Sequence, residues 1–249
     1  MTALSVNLNK VATIRNTRAL GIPSVLKAAS ICLQAGANGI TVHPRPDERH
    51  IRPHDVYELR EFLEDKPGIE FNIEGNPFHN LMHYVRRCKP EQVTFVPDDH
   101  TQITSDHGWR FPQDLERLRP LVQEAIDLGV RVSLFMDAQA TQMHYVRQLG
   151  AQRVELYTEP YASAFGTSEQ TKVLETFLQA AVAAQEVGLG VNAGHDLNLD
   201  NLGPLLNTIP FIKEVSIGHA LIGDALETGY AVAVRSYLSC IKSAGLKSK

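Results

Sequence analysis

One pattern runs the length of the chain and leaves it few folds. A handful of residues rich in Val, Ile, Leu or Phe is followed by a longer stretch with helical spacing, eight times over, at roughly 30 residues per unit. The apolar runs fall at 5–9, 39–43, 69–74, 92–97, 131–137, 153–158, 189–193 and 215–219. Helical spacing is clearest at 24–35, which ends at Gly36, at 54–64 with Val56, Leu59 and Leu63 on one stripe, and at 167–187. The last opens on a Thr167-x-x-Gln170 capping box. Pro120 is expected to break any helix begun at Pro112, so the main helix of that region is placed from about Pro120 onward.

Strand and helix in strict alternation favour a parallel sheet, and eight units in 249 residues favour a closed (β/α)8 TIM barrel of the α/β class. An open doubly wound sheet would carry a glycine-rich turn after its first strand, and Asn7-Leu8-Asn9-Lys10-Val11 has no glycine. No linker or low-complexity tract divides the chain, so 1–249 is expected to be one domain. The longest irregular piece, 98–111, is polar and reads equally as a lid or as a surface loop.

Composition removes other classes. With 43% hydrophobic and 21% charged residues the chain is too apolar for disorder, and its net charge of -4 argues against nucleic acid as a partner. No run approaches the ~18 apolar residues of a membrane span. The first ten residues show no signal peptide, and Cys32, Cys88 and Cys240 are scattered, as in a reduced cytoplasmic protein.

In a barrel of this kind the reactive groups gather where strands end. Here those positions hold Asn7 and Asn9, His43, the alternating Glu70, Asn72 and Glu74, Asp137, Glu155, and the pairs Gly194-His195 and Gly218-His219. Burying a carboxylate costs several kcal/mol unless a partner or ligand meets it, so this many ionisable groups make a site. His43 closes a strand and titrates in the range suited to acid/base work. The proline-stiffened run His43-Pro-Arg45-Pro-Asp47-Glu48-Arg49-His50 and the two Gly-His turns after strands seven and eight are candidate phosphate sites. A required metal is not expected: there is no HExxH, and the pairs His50/His54 and His79/His83 read as surface features. No G-x-S-x-G elbow marks a serine nucleophile.

The stretches VNLNKVATIRNTR, AGANGITVHPRPDERHI, IEFNIE, VSLFMDA, VELYTEPYA, VNAGHDLN and IGHALIG, in that order, resemble the pyridoxine 5'-phosphate synthase family over nearly the whole chain. The resemblance implies a (β/α)8 barrel with extra helices, assembled as a homo-octamer of dimers. It implies condensation of 3-amino-2-oxopropyl phosphate with 1-deoxy-D-xylulose 5-phosphate, without metal or redox cofactor. Carried over by motif, His43 and Glu70 are acid/base groups, His195 gives a proton as phosphate leaves, and Glu155 stabilises a cationic intermediate. Asn7, Arg18, Gly218 and His219 would hold the amino-ketone phosphate. Arg45, His50 and Thr104 would hold the deoxyxylulose phosphate, and Asp196 takes a backbone-contact position beside His195. The choice of Glu70 rests on the resemblance alone; by strand geometry Glu74, nearer the C-terminal end, is preferred, and either serves.

Two positions depart from the family pattern. Asn9-Lys10 stands where many members have Asp-His, and Lys10 brings a full charge that can pair with phosphate. Asp196 stands where many have glycine, and its carboxylate is expected to raise the proton affinity of His195 if the two side chains approach. The competing readings are a barrel aldolase or isomerase acting on one sugar phosphate, and a non-catalytic sensor of a phosphorylated metabolite. The first lacks an inward strand lysine, and the second does not need His43, Glu70 and His195 together.

Overall fold

The computed structural model describes residues 1–99, 102 and 104–247. Eight parallel strands, β1 (Ala3–Asn7), β2 (Gly39–Val42), β3 (Glu70–Gly75), β4 (Gln92–Phe95), β5 (Arg131–Met136), β6 (Arg153–Tyr157), β7 (Gly190–Gly194) and β8 (Glu214–Ile217), pair in chain order. β8 returns to β1 in the register Leu4 to Val215, which closes the barrel. The helices are α1 (Asn9–Asn16), α2 (Val25–Gln34), α3 (Pro53–Glu64), α4 (Leu81–Cys88), α5 (Leu115–Asp127), α6 (Met143–Gln148), α7 (Glu159–Ala164), α8 (Gln170–Glu186), α9 (Leu202–Thr208), α10 (His219–Thr228) and α11 (Tyr230–Lys247).

The expected (β/α)8 barrel is the fold observed, and its element ends differ in instructive ways. Six strands stop one or two residues early, where polar side chains turn the chain at the mouth, while β3 and β7 run one residue further, to Gly75 and Gly194. After β1, Asn7 Oδ1 accepts the N–H of Asn9 at 3.0 Å, so residues read as strand open α1. His219, read as the end of a strand, is the first residue of α10. The Thr167-x-x-Gln170 box lies ahead of its helix: Gln170 caps back to Gly166 N–H, and α8 starts only at Gln170. Pro120 does not break its helix but sits inside α5. Proline gives up a single N–H there, and the stripe Leu115, Leu118, Val122 and Ala125 stays buried against the barrel. At α2 the sequence reading and the structure agree: Ser24 caps Lys27 N–H at 3.1 Å, and the chain leaves through Gly36 at φ 108°.

The alternation along each strand decides where the core lies. Leu4 and Val6, Ile40 and Val42, Phe71 and Ile73, Val132 and Leu134, Val154 and Leu156 are fully or almost fully buried outside the barrel, where helices cover them in one continuous apolar cluster. The inner face is polar instead. Ser5 and Thr41 share a hydrogen bond of 2.7 Å, Thr94 Oγ1 donates to Asn72 Oδ1 at 3.1 Å, and Arg153 reaches Gln92, Asn192 and Glu214. Barrels usually fill this space with Val, Ile and Leu. A lumen of charged and amide side chains needs mutual hydrogen bonds at the closed end and a ligand at the open one.

Candidate active site

A cavity of about 510 Å³ opens at the C-terminal ends of the strands. Loops after β1, β2, β4, β7 and β8 contribute to its lining, and α1 forms part of its rim. On one side Asn9 Oδ1 accepts the backbone N–H of His43 at 2.9 Å, which fixes where that histidine leaves β2. His43 then reaches two carboxyl groups. Its Nδ1 lies 3.8 Å from Glu74 Oε2, and its Nε2 lies 3.3 Å from Asp98 Oδ2. Burial, then the nearby Arg45 charge, pull the His43 pKa down to about 3, so it is neutral at neutral pH.

Glu74, at the end of β3, also accepts Asn7 Nδ2 at 3.4 Å. Burial and the neighbouring Glu155, Asp98 and Glu214 push its carboxyl well above the usual range, which favours its protonated form. Glu155, buried on β6, is pushed up to about 7 by burial, against the opposing pull of His195. Its Oε2 has no hydrogen-bond partner among the described residues. A carboxyl that titrates near neutrality with one free oxygen is well placed to meet positive charge developing on a substrate.

Two regions on either side of β1 suit phosphate. After β2, Arg45 donates to Asp98 at 2.5 Å and to the Gln102 carbonyl at 3.0 Å, and Arg49 reaches the same carbonyl at 2.8 Å. His50 joins them, its pKa lowered to about 3 by burial and then by His43 and Arg45, and Thr104 lines the cavity beside it. This loop is pinned from below by α1: buried Arg15 donates to Asp55 at 2.9 Å and to the His50 carbonyl at 3.2 Å. After β8, Gly218 leads into the ten-residue α10, and Gly218, His219 and Ala220 at its N-terminus line the cavity, where backbone amides suit an anion. A Cβ at 218 would stand 3.0 Å from Asn7 Cβ, and one at 194 would stand 2.3 Å from Glu155 Oε1. Glycine at both positions lets neighbouring strand ends converge.

The turn after β7 presents His195, packed between Tyr157 at 5.2 Å and Phe135 at 5.8 Å between ring centroids. Asp196 Oδ2 lies 3.9 Å from His195 Nδ1, so the expected approach occurs, and it is this histidine that holds the Asp196 carboxyl below its usual range.

The structure thus gathers His43, Glu155, His195, Asn7, Lys10, Arg45, His50, Thr104, Asp196, Gly218 and His219 around one cavity. It does not bring in Glu70 or Arg18. Glu70 sits at the start of β3, at the opposite end of the barrel, ion-paired with Arg131 and 3.9 Å from Arg153. Burial raises its carboxyl, but hydrogen bonding with Glu214 and Arg131 outweighs this and holds it below the ordinary value. Two residues further along the same face, Glu74 occupies the mouth, where strand geometry had pointed. Arg18 is exposed in the turn after α1 and does not line the cavity. His50, paired with His54 in the sequence as a surface feature, is buried in the site. Asp98 was missed, although the strand-end rule that selected His43 picks it out one step beyond 92–97. It also anchors part of the irregular stretch 98–111, in which 100, 101 and 103 lie outside the described residues. Among the described residues no three His, Cys, Asp or Glu side chains converge as a metal site would require.

A (β/α)8 barrel with a polar cavity and ionisable groups suited to proton exchange at its C-terminal mouth defines a TIM-barrel enzyme as the class. The tryptophan synthase α subunit of Legionella pneumophila shares the fold, with a TM-score of 0.62 at 12% identity over 97% of this chain and 93% of that one. Residues 4–243 match the family described as pyridoxal phosphate biosynthesis protein PdxJ, and the chain belongs to that family. It is 61% identical over 245 residues to the pyridoxine 5'-phosphate synthase of Albidiferax ferrireducens, covering 96% of this chain and 97% of the relative. It is 50% identical to the enzyme of the same name from Xylella fastidiosa strain M23, over 97% of this chain and 95% of that one.

Proposed function

We propose that this chain is a pyridoxine 5'-phosphate synthase, joining 3-amino-2-oxopropyl phosphate to 1-deoxy-D-xylulose 5-phosphate with release of inorganic phosphate and water. The observation that carries the reading is a single cavity with groups suited to phosphate on each side of β1, lined as well by a neutral His43 and by Glu155, which titrates near 7. Two phosphorylated substrates need two such sites. Imine formation and dehydration need groups that give and take protons at one centre.

Arg45, Arg49, His50 and Thr104 hold the deoxyxylulose phosphate, while Asn7, Gly218, His219 and the α10 amides hold the amino-ketone phosphate, with Lys10 between. The amine adds to the ketone, and His43 takes the proton it sheds. Protonated Glu74 gives one to the departing hydroxyl, which leaves as water, in the role the resemblance gave to Glu70. Glu155, in its ionised form, balances the positive charge as the iminium forms. His195 protonates the phosphate oxygen as its bond to carbon breaks. An incoming phosphate dianion also favours the charged form of His50, so binding on that side takes up a proton, while His43 stays neutral to accept the one the amine sheds.

One barrel spanning 1–249 carries the whole reaction without metal or redox cofactor. The protein works in the cytoplasm as a homo-octamer of dimers, which would cover the exposed Leu20, Ile22 and Leu226. No helix of the described residues is long and apolar enough to cross a membrane. The test is an end-point assay of purified protein with both substrates, following phosphate and pyridoxine phosphate together. One phosphate per ring, only with both substrates present, is expected. Silence, or turnover of one substrate alone, would overturn the proposal in favour of a barrel aldolase or a sensor.

A further inference from the structure

The most strained backbone in the site carries its proton donor. His195 has φ 91° and Asp196 has φ 57°, both in the left-handed region that non-glycine residues disfavour. Such a turn persists only when surrounding groups over-determine it. Here the surrounding group is Thr158, fully buried at the junction of β6 and α7. Its N–H donates to the Gly194 carbonyl at 3.0 Å, and its hydroxyl reaches the Gly194 carbonyl at 2.7 Å and the His195 carbonyl at 2.5 Å. Asn201 closes the far side by donating to the Asp196 carbonyl at 3.1 Å.

Thr158 occupies the N-cap of α7, where a threonine hydroxyl ordinarily accepts an N–H of the helix's first turn. No such side-chain cap forms. The hydroxyl is turned across to β7 instead, so α7 forgoes a cap and the His195 turn gains its clamp.

We propose that Thr158 is a positioning residue that acts through His195. By holding the 194–195 peptides it sets the imidazole against Tyr157 and Phe135, within the cavity, where its proton meets the phosphate oxygen as the carbon–oxygen bond breaks and the electron pair leaves on that oxygen. The proposal rests on the reading of His195 as that donor, and the test separates the two. Thr158→Val keeps the shape and removes the hydroxyl, whereas Thr158→Ser keeps the hydroxyl. Displacing a reacting group by about 1 Å costs on the order of 100-fold in rate. Thr158→Val is therefore expected to lower kcat by roughly 10- to 100-fold, with KM for both substrates within about 2-fold, and Thr158→Ser to stay within about 3-fold of the unaltered chain. Adding Thr158→Val to His195→Gln is expected to cost nothing further, because the two act as one unit.

A Thr158→Val chain with full activity, a Thr158→Ser chain as slow as Thr158→Val, or losses that multiply in the double variant would each overturn the role of Thr158. Should Thr158→Val not fold, Thr158→Ala removes the same hydroxyl and is read the same way. Full activity in His195→Gln would overturn the donor reading instead.

Discussion

The two ends of the barrel use the same residue types to opposite effect. At the floor, Glu70 and Glu214 stand among Arg131 and Arg153, two carboxyls matched by two guanidinium groups across four strands. At the mouth, Glu74, Glu155 and Asp98 share one closely paired arginine, Arg45, and histidines that burial keeps neutral. The consequence is visible in their titration. At the floor Glu70 is held below the ordinary carboxyl value while Glu214, buried and hydrogen-bonded to it, is driven well above; at the mouth Glu74, Glu155 and Asp98 are all driven above it. A matched network is finished when the chain folds. An unmatched one is completed by what binds, and this is where chemistry is to be sought.

The comparison breaks or stands first on His43. His43→Asn is expected to lower kcat by roughly 100- to 10,000-fold while leaving the melting temperature within a few degrees, because a neutral amide replaces a neutral imidazole. The sharper contrast is between the two glutamates of β3. Glu74→Gln removes a protonated carboxyl from the mouth and is expected to cost activity, at least ~100-fold in kcat, with little loss of stability. Glu70→Gln strips the floor arginines of a counter-charge and is expected to cost about 3 kcal/mol in denaturant unfolding, with kcat of the folded fraction within about 10-fold. The reverse pattern, an inactive and fully stable Glu70→Gln, would return the acid/base role to Glu70 and dissolve the distinction between the two ends.

Much of this was legible before the structure, and what was not has physical reasons. Eight strands could be read because each has an apolar outer face packed on helices, so the alternation of Phe71 and Ile73 with Glu70, Asn72 and Glu74 is local information. Which of those three glutamate and asparagine positions meets solvent is also local, since height along the strand follows from order, and geometry favoured Glu74. The bonds at the floor were not readable: Arg153 meets Gln92, Asn192 and Glu214 only through barrel register, across up to 61 residues of sequence. Helix α1 was hidden because Asn7 and Asn9 look like strand ends until their side chains cap the turn. Pro120 misled because its cost is set by the one N–H it lacks, and burial of the α5 stripe outweighs that. Asp98 needed no register at all, only the rule already used for His43.

A smaller effect comes from pH. A carboxyl whose folded pKa is raised stabilises the fold fully below its unfolded value and loses that contribution as pH rises through the folded one. For Glu155 the window runs from the ordinary carboxyl range up to about 7, a contribution on the order of 3 kcal/mol. His43 and His50, lowered to about 3, act oppositely: their contribution is present above the ordinary histidine range and is lost as pH falls toward 3. Glu155→Gln is therefore expected to gain stability over the unaltered chain at pH 8 and to lose that advantage near pH 4, read by chemical denaturation at both. An equal effect at the two pH values would mean that burial does not raise the Glu155 carboxyl in the folded protein, and that the mouth is as well matched as the floor.

The least effect is expected at Asp196, and it tests whether the mouth's imbalance is graded. Its carboxylate stands 3.9 Å from His195 in a half-open position, where solvent screens much of the attraction. Asp196→Ala is expected to shift kcat by no more than about 2-fold, and by less in high salt. Because the residue sits at φ 57°, Asp196→Gly is the companion that removes the charge without straining the turn. Agreement between the two variants assigns the shift to charge. A shift in Asp196→Ala that Asp196→Gly does not reproduce assigns it to the backbone, and moves His195 from the electrostatics of the mouth to the clamp formed by Thr158.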